Sequence, residues 1–418
     1  MAVNFTPDQQ KVIDLRDCNI LVSAAAGSGK TAVLVERIVG MVCDGEAPLD
    51  IDRMLIVTFT NAAAAEMRER ISRGIEKRLE ADPENPHLQR QATLIHNAMI
   101  TTIHSFCLSL LKNHFHEIGL DPAFRIADEG EIKLLRQEVL GDLMEEWYAE
   151  GGEDFRRLVD FFCPNGRDKV LEDTILELAD CAEGFPWPEE WLEERKKDYD
   201  IGDEASLGES AVGKYLYGYL CRMTEGWIHK LNRVKDLCEE PDGPYMYGET
   251  VDAELEQLER LRNCRSLQDF AGLLPAISFG RLSGKKDPSV NADKRALASN
   301  LRGEVKESIQ KQGEKFFLTP LELSVRQGLV CCAQVAGLID LTIRYCRRLT
   351  EKKQEKRIID FGDMEHLALQ ILVHRENGEL VSSPVAKEYR AHFEQILIDE
   401  YQDSNLVQEL ILTAVSGE

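Results

Sequence analysis

Asn19-Ile20-Leu21-Val22-Ser23-Ala24-Ala25-Ala26-Gly27-Ser28-Gly29-Lys30-Thr31 decides how this chain is read. A short apolar stretch, expected to be a strand over Asn19–Ser23, runs into a loop of small residues. From Thr31 to Val42 apolar residues then recur at helical spacing, at Val35, Ile38, Val39 and Val42. A strand, a glycine-bearing loop ending in Lys-Thr and a helix start form the context of a phosphate-binding loop. Backbone N–H groups and the positive end of a helix can close around a polyphosphate only where glycine lets the chain approach. Ala24, Ala25, Ala26, Gly27, Ser28, Gly29, Lys30 and Thr31 are therefore the candidate nucleotide-binding residues. Lys30 is placed to reach the β and γ phosphates of ATP, and Thr31 to set its hydroxyl on Mg²⁺.

Outward from this loop the alternation of strand and helix continues. Met54–Thr58 is a second strand, entering a helix near Asn61, and Ile100–Ile103 is a third, followed by a helix through Phe106, Leu110 and Leu111. Such alternation predicts an α/β fold with a parallel sheet covered on both faces. From about residue 121 to about 378 the pattern changes to long helical stretches, predicting a large all-helical domain inserted between a first sheet segment, 1–120, and a returning one, 379–418. Within the last segment Gln395-Ile396-Leu397-Ile398-Asp399 is a buried strand that delivers two adjacent carboxylates, Asp399 and Glu400, at its C-terminal end, where ligands of open parallel sheets bind. Asp399 is the candidate magnesium ligand, and Glu400 the candidate base for the attacking water.

Composition narrows the class. A chain of 418 residues accommodates two or three compact units, and 43% hydrophobic with 30% charged residues is a soluble globular balance. No window is expected to reach the roughly 20 apolar residues of a membrane span, so no membrane partner is expected. The first residues show no basic stretch leading into an apolar run, which makes the cytoplasm the default location. Eleven cysteines without a C-x-x-C pair argue against a zinc ribbon, a redox motif or a disulfide framework, and are read as reduced and mostly buried. The formal charge of −24 opposes DNA phosphates at long range, but positive residues gather locally at Arg281, Lys285, Lys286, Lys294, Arg295, Arg302 and Lys306, and again from Arg344 to Arg357. Each basic stretch reads first as a solvated helix face and second as a DNA contact.

Taken in order, the phosphate loop, Thr58-Phe59-Thr60-Asn61 leading into Ala63-Ala64-Ala65-Glu66-Met67, Thr102-Ile103-His104-Ser105-Phe106 and Asp399-Glu400-Tyr401-Gln402-Asp403 resemble the motifs of superfamily 1 DNA helicases of the UvrD/Rep type. Phe5-Thr6-Pro7-Asp8-Gln9-Gln10 resembles that family's N-terminal glutamine motif, and Asp360-Phe361 another of its dipeptides. Ser23–Arg37, Phe124–Asp128 and Ser404–Gln408 look most like the AddA/RexA branch, which belongs to the ATP-dependent helicase/nucleases.

The resemblance implies a RecA-like P-loop NTPase domain, ATP and Mg²⁺ as ligands, Gln9 on the adenine edge, and Gln402 with the phosphate loop at the nucleotide. Thr58, Phe59, Asn61, His104 and Ser105 would line a single-strand DNA path. It also implies 3′ to 5′ movement on single-stranded and double-stranded DNA, a second subunit of the AddB/RexB type, and work on double-strand breaks for recombination. Ala32 and Ala62 depart from the family, standing where many members carry Arg and Lys. The chain reaches Ser416-Gly417-Glu418 where the family's next motif would begin, so it is expected to be the front part of a longer protein, without the second RecA-like domain and the nuclease domain, and to lack helicase and nuclease activity by itself. Two other readings use the same residues: a stand-alone repair helicase without nuclease, and a nucleotide-gated DNA-binding module.

Overall fold

The computed structural model describes residues 5–16, 18–25, 27–45, 47–199, 201, 203–376 and 379–417. Its strands are β1 Met54–Thr58, β2 Met99–Thr102, β3 Arg125–Ile126, β4 Ile358–Ile359, β5 Val373–Glu376, β6 Glu379–Ser382 and β7 Gln395–Ile398. Its first helices are α1 Pro7–Asp14, α2 Lys30–Cys43, α3 Asn61–Ala81, α4 Pro86–Leu94 and α5 Ile103–His114.

β1 lies between β2 and β7, parallel to both. All five of its residues are buried, because side chains alternate between two covered faces. Leu55 and Val57 enter a core with Phe106, Leu110, Leu369, Leu372 and Ile411. Met54 and Ile56 enter a second core on the opposite face with Ile38, Val42, Met67, Ile71 and Ile75. Each such fully buried Leu, Ile or Val contributes about 1.5–3 kcal/mol, which explains why a strand of continuous apolar residues sits at the centre rather than at an edge.

The sheet is smaller than expected. Asn19–Ser23 is extended but belongs to no ladder, and Leu21 is 81% exposed. Apolar character makes a strand only where a neighbour accepts its backbone hydrogen bonds, and in this sheet β1 pairs with β2 and β7 alone. The other expected elements form within a residue or two of their expected limits.

The chain divides into two compact units, neither bounded at 121 or 378. The first comprises residues up to Glu145, Leu176–Pro188 and the chain from Arg344 on, so stretches expected in the helical insertion group with the sheet. They do so because β3 pairs in parallel with β4, and because helix Phe361–Leu372 buries Met364, Ala368, Leu369 and Leu372 in the core that holds α5. The second unit, Glu146–Ile175 with Glu189–Ile343, is helical throughout its described residues, and its main core gathers Leu220, Trp227, Leu231, Val234, Leu258, Phe270 and Val305.

Helix Leu321–Lys356 is, by length and composition, long and apolar enough to cross a membrane, contrary to the expectation from the sequence. Its Leu338, Ile339, Leu341 and Ile343 are buried within the protein, as in a core helix. Among the described residues all eleven cysteines are free, and four rather than most of them (Cys107, Cys163, Cys238 and Cys264) are buried.

A buried ion pair holds the second unit. Glu254 and Arg302, 2% and 8% exposed, pair through two hydrogen bonds, Arg302 Nε to Glu254 Oε2 at 2.8 Å and the terminal guanidinium nitrogen to Oε1. Replacing Arg302 by Leu leaves a buried carboxylate without its partner and is expected to cost about 3–5 kcal/mol, most of it regained in the double variant with Glu254→Leu. Urea unfolding followed by tryptophan fluorescence measures this, Trp227 lying in the same core. A loss below about 1 kcal/mol, the range of exposed pairs, would refute it.

Candidate nucleotide and DNA site

Every strand of the parallel sheet hands its chain to a capped turn at one edge. Thr60 caps α3 by accepting the Ala63 N–H at 3.1 Å, and Thr102 caps α5 by accepting the Ser105 N–H at 3.2 Å. Asn405 caps the last helix, Leu406–Val415, through the Gln408 N–H at 2.8 Å. α2 differs, because its cap is Gly29 and no side chain covers its first N–H groups. Gly27 and Gly29 have φ of 77° and 81°, the left-handed region that glycine enters at little cost. The loop is therefore a backbone cradle with the positive end of a helix facing out of it.

This cradle is one wall of a cavity of about 810 Å³ lined by Gly27, Ser28, Gly29, Lys30, Thr31, Asp399, Glu400, Gln402 and Phe59. Gln9 braces the loop from α1, its Nε2 donating to the Ser28 carbonyl at 2.9 Å and its Oε1 accepting the Thr6 N–H at 2.8 Å. Ala24 accepts from Lys30 Nζ at 3.1 Å, and Ala25 accepts the Ser28 N–H at 3.2 Å. Ala26 lies outside the described residues.

Asp399 continues β7, its N–H donating to the Val57 carbonyl at 2.9 Å. Burial raises its pKa above the ordinary carboxylate value, the neighbouring Glu400 raises it further, and Lys30 acts in the opposite sense. Glu400 has φ 58° and ψ 44°, a conformation rare for a residue with a side chain, and Gln402 donates to its carboxylate. Strained backbone of this kind persists only where the surroundings enforce it. Two crowded carboxylates opposite a lysine and a bare helix N-terminus fit a magnesium nucleotide, with Thr31 and Asp399 on the metal and the loop on the phosphates.

The expected DNA residues separate. Phe59 is 66% exposed on the cavity wall, and Asn61 is exposed at the start of α3. Thr58 corrects the expectation: it is buried, and its hydroxyl donates to the Thr60 carbonyl at 3.1 Å, so it shapes the turn and offers no surface. His104 and Ser105 start α5 outside the cavity lining, with the Ser105 hydroxyl accepting from Thr102 at 2.9 Å. His104 meets the exposed Phe361 edge-on at 5.1 Å between ring centres. Cys107 behind them is buried, its thiol pKa pushed up mainly by burial, so it packs and does not react.

Two residues were not singled out by their sequence pattern. Arg70 lines the cavity and pairs with Glu66, one turn earlier on α3; the four-residue spacing is visible in the sequence, but its direction is not. Arg68 donates to the carbonyls of Ile95, Ala98 and Ile100 at 2.8–3.2 Å and so fixes the approach to β2 and His104.

The two basic stretches are largely engaged within the chain. Lys294 pairs with Glu240 and Asp242, Arg302 with Glu254, and Arg295 donates to the Tyr247 hydroxyl at 2.9 Å. Lys352 pairs with Glu355, Lys353 with Asp360 and Asp363, and Arg357 with Asp121. The solvated-face reading is the better description of both.

A family model described as UvrD/REP helicase N-terminal domain matches residues 5–418. The chain is similar to the larger, A-type polypeptides of ATP-dependent helicase/nucleases: 44% identical over 99% of its length to that of Lachnoclostridium phytofermentans, 42% over 100% to that of Clostridium perfringens and 40% over 99% to that of Bacillus licheniformis. It covers 30%, 33% and 34% of those proteins, and so spans about a third of their length.

Lys30→Ala is expected to abolish binding of Mg-ATP, because the phosphates lose the lysine of the loop while the backbone cradle remains. Calorimetric titration checks this, and unchanged affinity would refute the assignment of the loop.

Proposed function

The chain belongs to the UvrD/REP helicase N-terminal domain family, and from that premise we propose that it is the ATP-binding part of a DNA motor that couples hydrolysis to 3′ to 5′ movement along DNA. The observation that carries the reading is the cavity that joins the glycine loop, Lys30, Asp399 and Glu400 beside the exposed ring of Phe59.

In this reading Gly27, Gly29 and the α2 N-terminus hold the phosphates, Lys30 offsets their charge, and Gln9 stands where the adenine enters. Magnesium, held by Thr31 and Asp399, supplies charge neutralisation between the β and γ oxygens. Glu400 accepts the proton of the attacking water, with Gln402 orienting its carboxylate. Phe59 offers a stacking face to a base, worth about 1–3 kcal/mol per base whatever the sequence, and Asn61, His104 and Ser105 continue the strand path.

The second, helical unit is an insertion in the motor domain. In the whole protein the motor works with a nuclease and a second subunit of the AddB/RexB type on double-strand breaks, in the cytoplasm; the helicase/nuclease names of the relatives support this. The 418 residues by themselves bind nucleotide without unwinding DNA, since the described arginine in the cavity lining, Arg70, is already paired with Glu66 and an arginine supplied across a domain interface is worth about 10³–10⁵ in turnover.

Glu400→Gln in the whole protein is expected to retain ATP binding and lose DNA-stimulated phosphate release, because the exchange keeps the shape and removes the base. Release at the wild-type rate would exclude Glu400 from that role. The 418-residue chain is expected to bind a labelled single-stranded oligonucleotide weakly, with affinity falling as salt rises, because each phosphate contact releases counterions. Fluorescence anisotropy across a salt series decides, and no binding at low salt would remove the strand path from this chain.

A further inference from the structure

We infer that Glu365 is a positioning residue that couples His104 to the turn behind Asp399 and Glu400, an inference that rests on the nucleotide and single-strand reading above. Glu365, on helix Phe361–Leu372, is 5% exposed. Its carboxylate accepts from three side chains on two other elements: His104 Nε2 at 3.0 Å and Gln408 Nε2 at 2.6 Å on one oxygen, and Asn405 Nδ2 at 3.0 Å on the other. None of these donors is a lysine or an arginine. Burial alone would raise the carboxyl pKa, yet His104, Asn405 and Gln408 together hold it below its ordinary value. A structural ion pair in a core needs one cation; here three polar groups from two functional segments converge on one buried acid.

Asn405 works on two sides. Its carbonyl caps the last helix at the Gln408 N–H, and its amide donates to Glu365. Between Asn405 and Glu400 the chain is one short turn, Tyr401–Asp403, closed by Asp403 N–H on the Glu400 carbonyl at 3.0 Å and Ser404 N–H on the Tyr401 carbonyl at 3.1 Å. A displacement of Glu400 is thus carried to Asn405, from there to Glu365, and on to the imidazole that packs against Phe361. Because an unmet donor or acceptor in this interior is costly, the network has few acceptable arrangements, and its two ends move together.

The test measures the affinity of the 418-residue chain for a labelled oligothymidylate with and without saturating magnesium adenylyl imidodiphosphate. In the wild type the nucleotide is expected to change oligonucleotide affinity about fivefold or more, the usual scale of coupling between sites. Glu365→Gln sets an amide donor against the donors of Asn405 and Gln408 and is expected to bring that ratio to about 1 while the nucleotide still binds. Asn405→Ser keeps a good helix cap and removes only the amide donor, and is expected to lower the ratio in the same direction. Circular dichroism melting confirms that each variant is folded, and a purely structural role would lower the melting point without changing the ratio. A ratio of wild-type size in folded Glu365→Gln, or in Asn405→Ser should the first variant not fold, overturns the inference. A wild type that binds both ligands with a ratio of 1 overturns it too and leaves the functional reading standing, whereas a wild type that binds neither ligand refutes that reading and this inference with it.

Discussion

Parallel pairing of β1 with β2 on one side and β7 on the other aligns three strand ends along one edge of the sheet, with Thr58 opposite Thr102 and Val57 opposite both Thr101 and Ile398. The residues that follow those ends, Phe59, His104 and Asp399, therefore emerge side by side although they are separated by tens to hundreds of positions in the chain. Antiparallel pairing would send neighbouring ends to opposite edges. The parallel arrangement requires a long crossover between strands, and between β2 and β7 the chain has room for most of its helices. The site depends on this pairing more than on any single side chain in it.

Charge follows a local logic within an acidic chain. Glu254 with Arg302, Lys353 with Asp360 and Asp363, and Glu365 with His104 are buried groups whose partners are supplied at close range. Burial makes an unpartnered ion expensive, so such groups occur with partners or not at all. Much of the basic character of the sequence is taken up in this way, and the cavity keeps Lys30 and Arg70 as its positive lining. Attraction of a polyanion then relies on short-range contacts, since long-range steering by a net charge of −24 is repulsive and fades beyond a Debye length of about 8 Å at physiological salt.

Backbone conformation concentrates where the chemistry is. Gly27 and Gly29 take left-handed values that glycine tolerates, whereas Glu400 takes one despite its side chain. The glycines shape a cradle at little cost, and the glutamate is held in a strained state by the turn after β7 and by Gln402. A carboxylate fixed before its substrate arrives needs less reorganisation when it acts.

Residue order alone was enough for the elements and for the chemistry of the cavity. The Lys-Thr after two glycines, the apolar runs of β1 and β7, and the adjacent carboxylates are local patterns, and local patterns are what propensity, periodicity and backbone stereochemistry act upon. The same patterns misjudge Asn19–Ser23, because whether an apolar run becomes a strand depends on a neighbouring ladder. They misplace the limits of the helical region, because helix Phe361–Leu372 joins the sheet unit through contacts with α5 and helix Leu406–Val415 that no local signal announces. It took the folded chain to bury Thr58, to turn Arg70 towards the cavity, to neutralise the basic stretches from within, and to bring His104, Asn405 and Gln408 together on Glu365. Each of these is a matter of direction and proximity between residues far apart in the chain, and those are set by packing.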